Sequence, residues 1–326
     1  MNWVIKYSSI ISILFIITCK TEIKKSISSP SALLPLPDTA KIPHNKTGEE
    51  IRYGYQLFVR TAYYLGPEGK VMQLSGNKMN CKNCHLDNGM RPMSNSMVES
   101  YLKYPQYRAR EGTILTIEDR INNCFERPMN GKILPYDSRE MRAMVAYMRW
   151  MCEGRKASYN EDSLHLGKIN LIDRPASIDN GAKIYTLLCQ KCHGEDGQGQ
   201  FTPNNETYLY PPLWGKYSYA QGSSMHRNIT AARFVKWSMP YLDHKTPPQL
   251  TDEQAFDVVA FINCDSIHPR PYRKLENDCP DLPNKPIDFP KAPYYDSFPE
   301  RQHRLGPFKP IKAFYDKLYK THPELR

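Results

Sequence analysis

The sequence predicts an all-α fold made of two similar modules, and two observations support this. First, a short helix with a glycine near its start precedes a Cys-x-x-Cys-His motif twice. YGYQLF (53–58) precedes CKNCH (81–85), and NGAKIY (180–185) precedes CQKCH (189–193). Second, an amphipathic helix follows each motif after a long loop. Two copies of the same order of elements indicate an internal duplication of an α-helical unit.

Capping signals and apolar spacing predict the two closing helices. Asp137 and Glu140 form a capping-box pattern in the first module, and Thr251 and Gln254 form one in the second. Apolar residues follow each box at i, i+3, i+4 and i+7, which is the period of a helix with one buried face. They are Met141, Met144, Val145 and Met148 in the first helix, and Ala255, Val258, Val259 and Ile262 in the second.

The N-terminus has the form of an export signal. Residues 10–17 are apolar apart from Ser12, a run too short to span a bilayer, and Cys19 follows. Ile16-Ile17-Thr18 resembles the lipobox that precedes an acylated cysteine. We therefore expect an exported, periplasmic protein that touches a membrane only through a lipid anchor on Cys19.

Composition divides the rest of the chain, whose 326 residues are enough for two domains of ordinary size. After a signal peptide at 1–18, residues 19–48 are rich in Lys, Ser and Pro and read as a tether. The first module is expected at 49–153 and the second at 180–270, with a polar linker at 154–179. Many prolines in residues 271–326 predict an irregular tail that packs on the surface.

The chain is basic, with a formal net charge of +10. This charge is spread along the sequence, without a run of five basic residues, and no nucleic-acid-binding motif occurs. The charge therefore favours anionic substrates and partners, and we expect no nucleic acid among them.

The doubled Cys-x-x-Cys-His motif predicts two covalently bound c-type haems. In an exported chain the two cysteines form thioether bonds to a haem, and the histidine becomes an axial ligand of its iron. A zinc site would need matched ligand pairs elsewhere, and a dithiol redox pair would not need the histidine. We therefore expect two tandem cytochrome c domains. Cys81, Cys84 and His85 would hold the first haem, and Cys189, Cys192 and His193 the second.

The second iron has few candidates for its other axial ligand. Met225 and Met239 are the only methionines after Met151. Met239 lies between the haem motif and the closing helix, and Pro240 beside it would stiffen the loop, so Met239 is favoured. A Met thioether raises the reduction potential. Lys236 and His226 are weaker candidates.

The first iron has more candidates for this position. Met90, Met93, Met97 and Met129 all follow its haem motif, and Cys124 competes with them. Spacing alone favours the methionines, because a free cysteine is commonly just a buried side chain.

Five segments resemble the dihaem thiosulfate dehydrogenases. The similarity runs over nearly the whole of residues 54–271 and includes the Arg-x-x-x-Cys of Arg120 and Cys124. The segments are GNKMNCKNCHLDNGMRP, YPQYRAREG, RINNCFERPMNGKILPYDSREMRAMVAYMRWM, AARFVKWSMP and LTDEQAFDVVAFINCDSIHPRP.

The resemblance implies an activity and roles for three residues. The family interconverts two thiosulfates and one tetrathionate with the release or uptake of two electrons. Cys124 would be a thiolate ligand of the first haem and the reaction centre, and Arg110 and Arg120 would bind substrate. Electrons would pass from the first haem to the second, then to an external acceptor such as a soluble cytochrome. The alternative is a dihaem electron-transfer cytochrome without a substrate of its own.

Physical chemistry agrees with these roles. Two thiosulfate dianions repel each other in one pocket, and guanidinium groups offset that repulsion. A thiolate is the form of cysteine that attacks a sulfane sulfur. The chain departs from the family at Pro128, where many members have a serine. This proline lacks a hydroxyl and an N–H that could contact substrate.

Three cysteines remain outside these sites. Cys264 and Cys279 lie fifteen positions apart, and a disulfide between them would contribute about 3 kcal/mol by the loop-entropy relation. Cys152 falls on the apolar face of the first closing helix, so we expect it to be a buried, unpaired thiol.

Overall fold

Each half of the chain is organised around one pair of packed helices. The computed structural model describes residues 37–153, 166–241, 250–275 and 278–326. In the first half the helices are α1 (Lys46–Val59), α2 (Thr61–Leu65), α3 (Leu86–Gly89), α4 (Ile117–Glu126) and α5 (Arg139–Cys152). After these come α6 (Ile178–Leu188), α7 (Gln190–His193), α8 (Asn228–Ser238), α9 (Asp252–Ile262), α10 (Glu300–Leu305) and α11 (Phe308–Thr321).

Glycines allow the closest approach in both helix pairs. A Cβ atom on Gly54 of α1 would collide with the carbonyl of Ala143 in α5. A Cβ atom on Gly181 of α6 would collide with the carbonyl of Asp257 in α9. The glycine seen at the start of each module is therefore needed where the first helix crosses the closing helix, which is the same packing in both copies.

The closing helices begin close to their predicted positions. At α9 the capping box of Thr251 and Gln254 is confirmed, since the two side chains bond each other's backbone N–H groups. At α5 the prediction was wrong by one residue. Ser138, not Asp137, is the N-cap, and its hydroxyl accepts from the backbone N–H of Met141 at 3.1 Å. An N-cap side chain accepts from an N–H group two or three residues later, and Ser138 stands three residues before Met141.

Two small antiparallel hairpins accompany the helices. The first joins β1 (Gln106–Arg108) to β2 (Thr113–Leu115), and the second joins β3 (Gln200–Phe201) to β4 (Tyr208–Tyr210). Both lie in the long loops between a haem motif and a closing helix. The all-α prediction holds, since these short strands are the only sheets in the described ranges.

The tail differs from the irregular chain that its prolines predicted. Residues 278–299 lack helices and strands, but α10 and α11 follow. Phe308 and Ile311 of α11 are fully buried in the second core, where the ring of Phe308 packs against Phe256 of α9. The prolines were misleading because Pro299 and Pro307 lie just before helices and Pro310 lies in the first turn of α11. A proline costs no intrahelical hydrogen bond at those positions.

Several predicted features fall outside the part of the chain that the structure describes. These are the signal peptide at 1–18, Cys19, the tether up to residue 36 and residues 154–165 of the linker. Among the described helices, none combines the length and apolar character needed to cross a membrane.

Candidate active site

Helix α4 places Arg120 and Cys124 on one face. Thr116 caps this helix in a capping box with Asp119, and Phe125 is buried in the first core. Residues four apart on a helix are neighbours. Nη1 of Arg120 accordingly donates a hydrogen bond to Sγ of Cys124 at 3.1 Å.

A pocket beside α4 is lined by the residues of the first haem motif. Cys81, Cys84, His85 and Cys124 all line it, together with Arg120. The other lining residues are mostly apolar or aromatic. They are Gly54, Phe58, Met79, Asn80, Met97, Ile121, Phe125, Pro128, Met129, Met144, Tyr147 and Met148.

This pocket fits a covalently bound haem. Nδ1 of His85 bonds the carbonyl oxygen of Asn95 at 2.6 Å, which leaves Nε2 for iron. The hydroxyl of Thr61 lies 3.3 Å from Sγ of Cys81 and accepts from its backbone N–H. An apolar pocket with two thiols at its edge and an oriented imidazole has the donor set that a c-type haem requires.

The structure reduces the number of candidates for the second axial ligand of the first haem iron. Met97, Met129 and Cys124 line the pocket, whereas Met90 and Met93 are absent from its lining. Cys124 differs from the two methionines in facing a guanidinium group. A thioether carries no charge, so Arg120 favours a thiolate at this position over either methionine.

The three thiols of the pocket differ in acidity. Burial raises the pKa of Cys81 and of Cys84 to about 12. Burial also acts to raise the pKa of Cys124, but the charge of Arg120 and the interaction with His85 outweigh it, and the pKa falls to about 6. The Cys124 thiolate in turn raises the pKa of Arg120. Of these three thiols, Cys124 is the one whose surroundings favour the thiolate.

The second haem motif has a similar arrangement around its histidine. Nδ1 of His193 bonds the carbonyl oxygen of Pro211 at 2.9 Å, again leaving Nε2 for iron. Burial lowers the pKa of His193, which favours the neutral ring that binds a metal. Within the described residues, no group of three or more His, Cys, Asp or Glu side chains could hold a metal ion without a haem.

The structure also reduces the number of candidates for the second axial ligand of the second haem iron. Met239 follows α8 as its C-cap and is half-buried against the second core, as are Met225 and Cys189. Lys236 forms an ion pair with Asp252. Nδ1 of His226 accepts from the backbone N–H of Gly222, and Nε2 of its ring lies 3.2 Å from Asp265. Lys236 and His226 are therefore engaged elsewhere, which leaves the two methionines.

Arg110, the second arginine that the resemblance assigns to the substrate, is held in a largely buried ion pair. It follows β1 and is absent from the pocket lining. Its guanidinium pairs with Asp278 at 3.2 Å and donates to the carbonyl of Gly222, and both ionic side chains are largely buried. A buried guanidinium requires a carboxylate, and the tail supplies one from 168 positions along the chain.

The expected disulfide between Cys264 and Cys279 is also absent, since both are free thiols. Cys264 lies at the end of α9, with Sγ 3.2 Å from the hydroxyl of Ser266. Cys279 is fully buried in a small cluster with Leu275 and Phe289. The two cysteines therefore belong to different environments. Cys152 is a buried free thiol, as predicted.

Sequence reasoning missed the carbonyl groups that orient the two histidines. Asn95 and Pro211 act through backbone oxygens, which every residue carries, so no sequence signal could have identified them. It also missed the ion pair of Arg127 and Glu111, 2.7 Å long and largely buried. This pair joins the turn between β1 and β2 to the C-cap residue of α4, next to Pro128 of the pocket.

Family models match both halves of the chain. Residues 72–157 match the model described as SoxA/TsdA, cytochrome c domain, and residues 178–264 match the model described as cytochrome c. Each match spans one Cys-x-x-Cys-His motif and its closing helix, so the two predicted cytochrome c domains are confirmed.

Curated relatives and a solved structure agree with these matches. A thiosulfate dehydrogenase from Psychrobacter arcticus is 35% identical over 265 residues, which are 81% of this chain and 75% of that protein. One from Allochromatium vinosum is 33% identical over 246 residues, 74% of this chain and 86% of that protein. The thiosulfate dehydrogenase (TsdBA) structure from Marichromatium purpuratum, in its "as isolated" form, superposes with a TM-score of 0.64 at 31% identity. That match covers 71% of this chain and about half, 49%, of the solved chain.

Proposed function

The chain belongs to the family of dihaem thiosulfate dehydrogenases, and we therefore propose that it interconverts two thiosulfate ions and one tetrathionate. Its two cytochrome c domains carry two c-type haems. Cys81, Cys84 and His85 would hold the first haem, with Cys124 as the second axial ligand of its iron. When bound, the haems supply one-electron redox chemistry.

One observation carries this proposal. The guanidinium of Arg120 donates to Sγ of Cys124 inside the pocket that also contains His85. An electron carrier without a substrate needs neither a thiolate nor a guanidinium group beside it at its haem. An enzyme that joins two sulfur anions needs both, because the thiolate reacts with sulfur and the cation offsets the anionic charge.

The reaction at Cys124 balances in both directions. In oxidation, the Cys124 sulfur bonds to the sulfane sulfur of one thiosulfate, and two electrons leave. A second thiosulfate then bonds to that sulfane sulfur, which releases tetrathionate and regenerates the thiolate. In reduction, the thiolate attacks a central sulfur of tetrathionate and displaces one thiosulfate. Two electrons then cleave the remaining bond to Cys124 and free the second thiosulfate.

Arg120 would have two tasks in these steps. It keeps Cys124 in the anionic form, and its planar fork can donate to a sulfonate oxygen of the incoming thiosulfate. Pro128 and Met129 line the same pocket but offer no side-chain donor. The binding of two dianions therefore depends strongly on Arg120, and we do not assign Arg110 to the pocket.

The second module would carry electrons away from the site. We assign His193 and Met239 as its axial ligands, with Cys189 and Cys192 as its covalent attachments. We propose 49–153 and 180–270 as the two cytochrome c domains, with α11 of the tail completing the core of the second, and an external cytochrome as the electron partner. Residues 1–18 and Cys19 support export to the periplasm with a lipid anchor.

The test uses the purified holoprotein with both haems attached. Thiosulfate should reduce its haem bands and yield one tetrathionate for each two thiosulfates consumed, and tetrathionate should reoxidise the reduced protein. Haem bands that respond to a redox dye but to neither sulfur compound would contradict the proposal. That result would indicate an electron-transfer cytochrome without its own substrate.

A further inference from the structure

The β3–β4 hairpin of the second module is hydrogen-bonded to the first haem motif. The hydroxyl of Thr207 donates to the carbonyl of Lys78 at 3.0 Å and accepts from Nδ2 of Asn80 at 2.7 Å. Nδ2 of Asn83 donates to the carbonyl of Tyr208 at 3.3 Å. The backbone N–H of Tyr208 also donates to the carbonyl of Lys78, at 3.4 Å. We name these five residues the hairpin junction.

The same hairpin is fixed to the second haem motif at its other side. Strand β4 ends at Tyr210, and the next residue, Pro211, supplies the carbonyl that accepts from Nδ1 of His193. The backbone N–H of Gly199 donates to the carbonyl of His193 at 2.8 Å, and Nε2 of Gln200 donates to the carbonyl of Lys191 at 3.0 Å. Tyr208, in the junction, therefore lies three positions before Pro211, whose carbonyl oxygen orients the histidine of the second haem motif.

The two asparagines of the junction are also fixed within the first module. Oδ1 of Asn80 accepts from the backbone N–H of Ala62 at 2.8 Å. Oδ1 of Asn83 accepts from the backbone N–H of Asn80 at 2.7 Å. Asn80 is only 3% exposed, so both the oxygen and the nitrogen of its amide need hydrogen-bond partners within the protein. Each amide uses its oxygen inside the first module and its nitrogen across the boundary, which leaves little freedom to the segment that attaches the first haem.

We propose that Thr207 is a positioning residue for electron transfer between the two haems. The junction joins the attachment segment at Cys81 and Cys84 to the ligand segment at His193 through hydrogen bonds and one short strand. This inference rests on the proposed passage of electrons from the first module to the second. The inference adds that one particular contact, and not only the proximity of the two domains, sets the rate at which electrons pass between the haems.

The step involves electrons only. With both haems bound, one electron would pass from the first haem, oxidised from ferrous to ferric, to the second, reduced from ferric to ferrous. No bond is made or broken and no proton moves. The rate of such a step depends on how the two centres are held relative to each other, and two amides and a hydroxyl hold them at this junction.

The test compares three threonine variants in the holoprotein, without thiosulfate. A flash-activated photoreductant reduces one haem, and absorbance follows the internal exchange between the two. Thr207→Val keeps the shape of the side chain but removes the hydroxyl that joins Lys78 and Asn80, and we expect severalfold slower exchange. Thr207→Ser should restore the rate. Thr202→Val removes a hydroxyl that bonds only within the same hairpin, to Asn204 and to the carbonyl of Thr207, and should leave the rate unchanged.

Further measurements keep the proposal falsifiable. Midpoint potentials of both haems in each variant exclude a change in driving force as the cause of a slower rate. Asn83→Asp provides a second variant, because it keeps the oxygen that accepts from Asn80 but removes the donor to Tyr208. A normal exchange rate in both Thr207→Val and Asn83→Asp would overturn the proposal, as would equal slowing in Thr202→Val. Because no sulfur compound is present, these results do not depend on whether the chain oxidises thiosulfate.

Discussion

Nη1 of Arg120 lies 3.1 Å from Sγ of Cys124, one turn apart on the same helix. This contact places a permanent positive charge against the sulfur of Cys124 in the pocket that also contains the first haem motif. It explains why, of the three thiols in the pocket, only Cys124 has a lowered pKa. Predictions about turnover therefore begin with these two residues.

Replacing Cys124 by serine should abolish turnover in both directions. Serine has no sulfur to bond with thiosulfate and is a poor ligand for haem iron. Electron paramagnetic resonance of the oxidised protein should show the loss of a low-spin thiolate signal, while both haems stay attached. Cys264→Ser, at a thiol outside the pocket, is the control and should keep full activity. Normal turnover in Cys124→Ser would refute the assignment.

Replacing Arg120 by methionine should lower kcat/KM for thiosulfate about tenfold or more, since a hydrogen bond to a charged group contributes about 1.5–3 kcal/mol. The kcat/KM of Arg120→Lys should lie between those of Arg120→Met and the wild type, because lysine keeps the positive charge but lacks the planar, two-pronged donor of the guanidinium group. Arg149→Met removes an exposed arginine of α5 and controls for net charge. Equal losses in Arg149→Met and Arg120→Met would mean that only the overall charge matters.

Replacing Met239 by histidine should lower the midpoint potential of the second haem, because a thioether ligand raises it relative to imidazole. Spectroelectrochemistry of the holoprotein measures this directly. Met225→Leu is the matched control, since Met225 is also half-buried against the second core. If Met225→Leu changes the ligand spectrum and Met239→His does not, the axial ligand has been misassigned.

Breaking the ion pair of Arg110 and Asp278 should destabilise the fold. Both side chains are largely buried, and Arg273 also contacts Asp278 at 3.2 Å, so part of the charge stays compensated. We expect Arg110→Met to lower the free energy of unfolding by about 1.5–3 kcal/mol, the range for a hydrogen bond to a charged group. Urea titration measures it, and a double-mutant cycle with Asp278→Asn isolates the pair.

A surface arginine provides the comparison for that experiment. Arg139 pairs with Glu50 at 3.0 Å, and both side chains are well exposed. Arg139→Met should therefore cost less than about 1 kcal/mol. A loss in Arg110→Met no greater than the loss in Arg139→Met would show that the Arg110 pair contributes nothing beyond an ordinary surface contact.

Asp265 should make stability depend on pH in the acid range. Burial acts to raise its pKa, but His226, Arg270 and Arg304 outweigh burial and lower the pKa to about 2. A carboxyl whose folded pKa lies below its unfolded value stabilises the fold above the unfolded value and loses that contribution as pH falls through the folded one. The advantage of the wild type over Asp265→Asn should be constant at neutral pH and shrink below about pH 4. An advantage that grows on acidification would contradict this.

Local patterns predicted much of the fold and the site. Cys-x-x-Cys-His is contiguous, the closing helices show their own period, and Arg120 and Cys124 are one helical turn apart. Each of these features depends only on residues that are close together in the chain, so it can be recognised from the sequence. The family resemblance added the choice of Cys124 over the methionines, which spacing alone had ranked the other way.

Contacts between distant segments could not be predicted. The pairing of Arg110 with Asp278 depends on where the tail runs, and the junction of Thr207 with Asn80 depends on how the second module meets the first. The free state of Cys264 and Cys279 has the same origin, since spacing along the chain does not give the distance between them. Burial of α11 was missed because its prolines lie where a helix tolerates them.

The burial of α11 has a consequence for how the protein is made. A chain is synthesised from its N-terminus, so the first core, which extends to Met151, can close while later residues are still being added. The second core requires Phe308, Ile311 and Tyr315, which lie more than forty residues beyond the end of α9. The second module therefore completes its core only after α11 has been produced. A C-terminal truncation that looks harmless by length would remove part of that core.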